Sequence, residues 1–136
     1  MIQRDSSHPS LWQKTSPKFT AKNKAERRIY DVVIIGGGIT GLSTALQLQE
    51  AGLQCIILEA KNLCYGTTGG TTAHLNTLLD TPYSTIEKKF SAADAKLVAD
   101  AAKAGVGLIG ETIKKYSIDC EYEACKAYLF SQDEKR

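Results

Sequence analysis

Three glycines, Gly36, Gly38 and Gly41, form the pattern G-x-G-x-x-G between two apolar runs, and an acid, Glu59, closes the second run. In this pattern the first glycine permits a tight turn, the second lets a phosphate approach the backbone, and the third lets a helix pack closely on a strand. A helix N-terminus at this point offers unpaired N–H groups and a positive dipole end to phosphates. A carboxylate about 20 residues further on accepts hydrogen bonds from ribose hydroxyls. These residue types and spacings predict a dinucleotide site.

The elements that must position these residues follow from the flanking pattern. The sequence predicts a strand, a helix and a second strand over residues 29–35, 39–51 and 55–59. Both strands are continuous apolar runs, as in a parallel sheet that is covered on both faces. Leu42, Ala45 and Leu46 share one face of the helix, and Gly52 stands where its C-terminus favours glycine. The fold class predicted is α/β, with a right-handed βαβ unit. A glycine-rich turn in a nucleotide-free α/β domain is the alternative.

Glu59 and the segment after it bear on the choice of ligand. An acid at this position repels a 2′-phosphate, which disfavours NADP, but the βαβ unit does not distinguish FAD from NAD. The segment 66–74, "GTTGGTTAH", follows where a simple NAD domain would proceed to a third strand. Its small residues suit a backbone that lies against a long ligand, with hydroxyl donors at Thr67, Thr68, Thr71 and Thr72. An ordinary surface loop is the alternative for this segment.

The remaining part of the chain reads as helix followed by short strands. "SAAD" at 91–94 resembles a capping box, with Ser91 as N-cap and Asp94 at the third helical position. Apolar residues then recur every three or four positions, which predicts a helix of about 25 residues that ends near Tyr116. Two short strands are predicted near residues 121–123 and 126–131.

The N-terminal arm, residues 1–28, has no sustained periodicity and holds most of the basic excess. Residues 1–30 carry seven basic and two acidic side chains, whereas the net charge of the whole chain is only +2. That charge does not suggest nucleic acid as a partner. Leu11 and Trp12 are an adjacent pair of large apolar residues inside the arm. Either they anchor the arm to the domain or the arm is disordered.

The four cysteines, Cys55, Cys64, Cys120 and Cys125, include no pair with C-x-x-C spacing, so no metal site is expected. A reduced, cytoplasmic chain is the prediction from this cysteine usage. No apolar run approaches the roughly 18 residues of a transmembrane segment. The arm also lacks the continuous apolar stretch of a secretory signal.

The segment 31–60 followed by "GTTGGTTAHLNTLLD" resembles the D-amino-acid-oxidase-like superfamily of FAD-dependent oxidoreductases. Within it, the sequence is most similar to bacterial members that often carry a C-terminal Rieske iron–sulfur domain. "SLW" at 10–12, "TTAHL" at 71–75 and "IDCEYE" with "YLF" near the end carry that likeness. The resemblance implies a Rossmann-like βαβ dinucleotide-binding unit that is incomplete here, followed by a long helix and the start of a substrate-domain sheet.

The resemblance also implies FAD as cofactor and assigns its contacts. The glycines would meet the pyrophosphate, Glu59 the adenosine ribose, and the threonine segment the ribityl chain. The cofactor-binding residues predicted on this basis are Gly36, Gly38, Ile39, Thr40, Gly41, Glu59, Ala60, Thr67, Thr68, Gly69, Gly70, Thr71 and Thr72. Relatives usually carry an arginine where this chain has Gly70, so one cation is missing. His74 has the spacing of a covalent flavin attachment site in some members, but a His that hydrogen-bonds within the fold or lines the flavin pocket is favoured.

The resemblance implies an enzyme at least three times longer, of which this chain would be the N-terminal FAD-binding portion. The expected domains are an arm at 1–28, an FAD-binding unit at 29–82 and a truncated segment at 83–136. The parent would act on a small amine, amino acid or related substrate through parts absent here, with a Rieske domain possible downstream. This chain alone is expected to be inactive, and no catalytic residue is assigned. The alternative is a stand-alone module that binds FAD, NAD or ADP without turnover.

Overall fold

The computed structural model of the chain describes residues 8–15, 19 and 28–130. The chain divides into two units, Met1–Ala73 and His74–Arg136. The domain boundaries drawn from the sequence at 28/29 and 82/83 stay predictions.

The first unit is built on two parallel strands joined by a helix. Strand β1, Val32–Ile35, pairs with β2, Cys55–Leu58, in a register that sets Val32 beside Cys55 and Ile35 beside Leu58. Helix α2, Ile39–Glu50, makes the crossover and packs on both strands. The first strand is shorter than predicted because residues 29–31 form no ladder. Instead, the Asp31 carboxylate accepts the Gln54 N–H at 2.7 Å. The α/β class and the parallel pairing are as predicted from the apolar runs.

Helix α2 ends as its sequence indicates. The Gly52 N–H donates to the Gln49 carbonyl and the Leu53 N–H to the Leu48 carbonyl, which is the Schellman arrangement. Gly52 has φ of +88°, a conformation that side chains disfavour. On the predicted inner face Ala45 is buried, and Leu42 and Leu46 are half-buried.

Another helix of the first unit, α1, spans Leu11–Thr15 inside the predicted arm. It packs on a 3-10 turn, Gly66–Gly70, which begins the segment 66–74, called here the Gly/Thr-rich segment. Trp12 therefore anchors the described part of the arm to the domain, the first of the two alternatives that the sequence allowed. Residues 1–7, 16–18 and 20–27 of the arm lie outside the described residues.

The second unit contains α3, Tyr83–Lys89, packed against α4, Ala92–Lys115. Ser91 caps α4 as predicted. Its hydroxyl oxygen accepts the Asp94 N–H at 3.1 Å, and the hydroxyl itself donates to the Asp94 carboxylate at 2.6 Å. The two strands predicted near 121–123 and 126–131 are wrong for the described residues, since 119–130 contain no strand. These residues are exposed and have no strand beside them to complete a ladder, so the start of a second sheet is absent there. Ser131 lies outside the described residues.

Little of the described chain is buried. Ala45 and Ala95 are the only hydrophobic residues below a tenth exposure among those described. The face of the sheet away from Ala45 leaves Ile35 at 88% exposure and Val33 at 55%. None of the described helices has the length and apolar character that crossing a membrane requires.

Candidate nucleotide-binding site

The glycine turn between β1 and α2 has the geometry that its sequence predicts. Gly36 has φ of +100°, and its N–H donates to the Leu58 carbonyl at 2.8 Å, which extends the β1–β2 ladder by one bond. A Cβ on Gly41 would lie well inside van der Waals contact of the Gly36 carbonyl oxygen and 3.2 Å from the Ile34 side chain. The absence of a side chain at Gly41 is therefore what lets α2 approach β1.

Gly38 is the N-cap of α2 and has extended backbone geometry. A glycine has no side chain that could cap the helix, so the first N–H groups of α2 depend on partners from elsewhere. One such partner is Thr68, whose hydroxyl oxygen accepts the Ile39 N–H at 3.2 Å. A Cβ on Gly38 would stand 3.1 Å from the same hydroxyl oxygen. The 3-10 turn thus places a threonine hydroxyl at the helix N-terminus, next to the N–H groups that a phosphate would approach.

Glu59 is fixed at the carboxyl ends of both strands by two backbone hydrogen bonds. Its Oε2 accepts the Gly37 N–H at 2.7 Å, and its Oε1 accepts the Lys61 N–H at 2.8 Å. Gly37 is buried, and a Cβ there would collide with the Leu63 side chain. No role was predicted for Gly37 from the sequence. The run of three glycines, rather than the two that G-x-G requires, was the available signal.

These contacts set the ionisation of Glu59. The Gly37 N–H, followed by the Lys61 N–H, stabilises the carboxylate and lowers the pKa of Glu59 below its usual 4.5, against a small desolvation effect that raises it. The carboxylate is exposed and is therefore charged at neutral pH and available to hydroxyl donors. Each carboxylate oxygen has two lone pairs, so both can accept a ribose O–H while they keep their backbone partners.

The lowered pKa predicts how stability depends on pH. Because folding depresses the pKa, the Glu59 carboxylate stabilises the chain fully above about pH 4.5, and this contribution is lost as the pH falls through the folded pKa. We expect the free energy of unfolding of Glu59→Gln to trail that of the wild type by a constant amount near neutral pH. The gap should close below pH 4.5, as measured by urea unfolding at a series of pH values. A gap that persists in acid would show that the charge is not the cause.

The other predicted residues divide between this turn and its surroundings. An open concavity of about 1200 Å³ runs along β2 and the side of α2 and reaches Gly36 after β1 and Glu59 and Ala60 after β2, whereas Gly38 and Thr68 do not line it. Its size is sufficient for a nucleotide. The structure brings together Gly36, Gly38, Ile39, Gly41, Glu59, Ala60 and Thr68. Among the described residues, Thr40, Thr67, Gly70, Thr71 and Thr72 are exposed, while Gly69 is buried under α1. His74 is exposed.

Helix α1 adds residues that the sequence analysis did not place in the site. The Trp12 Nε1–H donates to the Thr71 carbonyl at 2.8 Å, and the Ser10 hydroxyl donates to the Gly69 carbonyl. Ser10 and Gln13 also form a capping box, with the Gln13 N–H on the Ser10 hydroxyl and the Ser10 N–H on the Gln13 side-chain oxygen. The S-x-x-Q spacing of "SLWQ" was the signal that could have found this turn.

Comparison with known proteins places this geometry in a family. Residues 31–136 match the family described as DAO, FAD dependent oxidoreductase. The chain is 35% identical over 129 residues to YhfW of Bacillus subtilis, which is named as a Rieske 2Fe-2S iron-sulfur protein, and this match covers 93% of the chain. It is 34% identical over 105 residues to the gamma-glutamylputrescine oxidoreductase of Escherichia coli, covering 77% of the chain.

A shorter match, 38% identical over 60 residues, joins the chain to the alpha-glycerophosphate oxidase of Enterococcus casseliflavus and covers 40% of the chain and 10% of that protein. The chain spans about a quarter of the length of YhfW and of the E. coli protein, 25% in each case. No solved structure matches the chain. The match over 31–136 contains the glycine turn, Glu59 and the Gly/Thr-rich segment, and the chain belongs to the DAO family of FAD-dependent oxidoreductases.

Proposed function

We propose that the chain forms the part of an FAD-dependent oxidoreductase that binds the ADP half of the cofactor. The observation that carries the proposal is the placement of the Glu59 carboxylate, held by the Gly37 N–H at 2.7 Å, directly beside Gly38 and the N-terminus of α2. A carboxylate that accepts hydrogen bonds from ribose hydroxyls and N–H groups that donate hydrogen bonds to phosphate oxygens then lie at the same edge of the sheet. This is the carboxyl edge, where ligands of open parallel sheets bind.

The residues present fit FAD in charge and in space. Gly38 lacks the Cβ that would obstruct a pyrophosphate. The Thr68 hydroxyl accepts the Ile39 N–H at the positive end of the α2 dipole and keeps its own proton to donate to a phosphate oxygen. Glu59 would hold the adenosine ribose. FAD, when bound, accepts a hydride equivalent from the substrate, and the protein supplies binding and orientation. In this chain those tasks fall to the glycine turn, Glu59 and the segment that carries Thr68.

The substrate class of the whole protein is part of the proposal. We propose a small amine, amino acid or related compound, which is supported by the likeness to the gamma-glutamylputrescine oxidoreductase. The match to an alpha-glycerophosphate oxidase is shorter and gives weaker support to a polar substrate of another class. A Rieske 2Fe-2S domain is proposed as a partner in electron transfer because the match to YhfW covers nearly all of the chain. The cytoplasmic location inferred from the unpaired cysteines stays a prediction.

Ligand choice tests the proposal through Glu59. The full chain is expected to bind ADP and FAD more tightly than NADP, and NAD more tightly than NADP, because the carboxylate accepts ribose hydroxyls and repels a 2′-phosphate. Glu59→Gln removes the charge and should weaken ADP binding about tenfold. It should also reduce the difference between the affinities for NAD and for NADP. Isothermal titration calorimetry with the four ligands measures both effects.

Asp31→Asn is the matched control. Asp31 also holds a backbone N–H across the two strands, that of Gln54 at 2.7 Å, but it lies at the opposite end of β1 from the glycine turn. Its replacement should leave all four affinities unchanged. Tighter binding of NADP than of ADP by the wild type, or equal losses in both variants, would refute the assignment of Glu59 to the ribose.

A further inference from the structure

Helix α1 reaches the Gly/Thr-rich segment through backbone carbonyls rather than through side-chain packing alone. Ser10 donates its hydroxyl to the Gly69 carbonyl, and Trp12 donates its Nε1–H to the Thr71 carbonyl at 2.8 Å. Each bond joins residues 59 positions apart in the chain. The two carbonyls lie two residues apart, so α1 fixes the backbone on both sides of Gly70.

Helix α1, which makes these two bonds, depends on them for its own stability. Helix α1 has five residues, and isolated helices of fewer than about 12 residues are marginal in water. The capping box of Ser10 and Gln13 supplies local support at 2.9 and 3.2 Å. The Ser10 hydroxyl belongs to both interactions, because it accepts the Gln13 N–H and donates to Gly69. Capping of α1 and docking on the segment therefore support one another.

Gly69 gives independent evidence that the segment is shaped for this contact. It is buried, and a Cβ on it would stand 2.8 Å from the Gln13 side-chain nitrogen and 2.8 Å from the Cys64 carbonyl oxygen. A Cβ at this position would therefore require the Cys64 backbone to shift and the Gln13 side chain, which caps α1, to move. The resemblance to the family assigned Gly69 to the cofactor. The structure gives it the separate task of admitting α1.

The docked segment is the one that reaches the phosphate end of the site. Thr68, immediately before Gly69, accepts the Ile39 N–H at the start of α2. The carbonyls that α1 holds, those of Gly69 and Thr71, therefore determine where the Thr68 hydroxyl lies. The path from Ser10 to the N-terminus of α2 consists of two hydrogen bonds and the peptide link between Thr68 and Gly69.

We propose that α1 is a positioning element of the dinucleotide site, in which Ser10 and Trp12 hold residues 69–71 so that Thr68 lies at the N-terminus of α2. This inference rests on the proposed function, because it concerns the same site. Docking of α1 and binding of the dinucleotide reinforce each other, and the two effects are equal in free energy by linkage. Ser10 and Trp12 touch the backbone that carries the site and are not catalytic residues.

Trp12→Phe tests the proposal because it keeps the aromatic ring and removes the Nε1–H. The full chain with this change is expected to bind ADP and FAD about fivefold more weakly than the wild type, the effect of one hydrogen bond. The Ser10→Ala/Trp12→Phe double variant should lose more than either single variant. Leu11→Ala is the control, since Leu11 lies on the same short helix and is 64% exposed. It should bind as the wild type does. Circular dichroism should stay unchanged, because the 24-residue α4 carries most of the helical signal.

A spectroscopic measurement separates positioning from a loss of structure. Trp12 is the only tryptophan of the chain, so the intrinsic emission reports on α1 alone. ADP does not absorb this emission, and saturating ADP should shield Trp12 from acrylamide quenching if ligand binding strengthens docking. Two results would overturn the proposal in a chain that binds ADP. One is a Trp12→Phe variant that binds ADP as tightly as the wild type, and the other is acrylamide quenching of Trp12 that ADP leaves unchanged. Failure of the wild type to bind ADP or FAD would instead overturn the proposed function, and this inference with it.

Discussion

Gly41→Ala is expected to destabilise the chain by about 2 kcal/mol or more, although alanine is the better helix former by about 1 kcal/mol. The added Cβ would collide with the Gly36 carbonyl oxygen, a backbone atom that cannot rotate away. Relief of the collision requires α2 to move off β1, which separates the buried Ala45 from the strands. Urea unfolding followed by circular dichroism measures the loss.

Gly105→Ala makes the same chemical change and should act in the opposite direction. Gly105 lies within α4, is exposed, and a Cβ on it would meet no atom within 4 Å. The variant should gain up to about 1 kcal/mol of stability from helix propensity alone. A result in which both variants move the free energy of unfolding in the same direction would contradict the close approach of α2 to β1.

Gly38→Ala in the whole protein is expected to lose flavin during purification while the ligand-free fold persists. In the ligand-free chain the new Cβ would stand 3.1 Å from the Thr68 hydroxyl oxygen, and a rotatable side chain can yield by the few tenths of an ångström required. A pyrophosphate that approaches the backbone has no such freedom, so affinity for ADP and FAD should fall between about tenfold and a hundredfold. Flavin absorbance of the purified protein and calorimetry with ADP measure the loss, and urea unfolding checks the fold.

The Gly38→Ala/Thr68→Ala double variant identifies the partner in that collision. If the Cβ obstructs the pyrophosphate, removal of the Thr68 side chain cannot restore binding. Recovery of ADP affinity in the double variant would show that the Cβ acts by displacing Thr68, and the assignment of Gly38 to the pyrophosphate would be wrong.

The parts of the fold that sequence predicts are those with local causes. Strand β2 is read from a run of β-branched and apolar residues, the end of α2 from Gly52, and the start of α4 from Ser91 and Asp94. In each case the deciding interaction lies within a few residues, so the pattern contains it. The position of the glycine turn between β1 and α2 is predicted for the same reason.

The parts that sequence reasoning missed depend on partners far along the chain. The Gly37–Glu59 bond joins residues 22 positions apart, and the Trp12–Thr71 bond joins residues 59 apart. A composition that is basic and aperiodic concealed α1, because its stability comes from docking. The strands predicted beyond residue 120 failed in the opposite way, since Tyr128 and Phe130 have strand propensity but no strand among the described residues lies beside them to form a ladder.

The carboxylates of Asp31 and Glu59 stand at opposite ends of the same pair of short strands. Asp31 ties the start of β1 to the residue before β2, and Glu59 ties the residue after β2 to the turn that follows β1. With four residues in each strand, the ladder alone gives little resistance to slippage by one position. A slip of one residue would break both side-chain bonds together and would turn each inward side chain outward. The two acids therefore fix the register of β1 against β2, and Glu59, the residue that would hold the ribose, also determines which side chains the sheet buries.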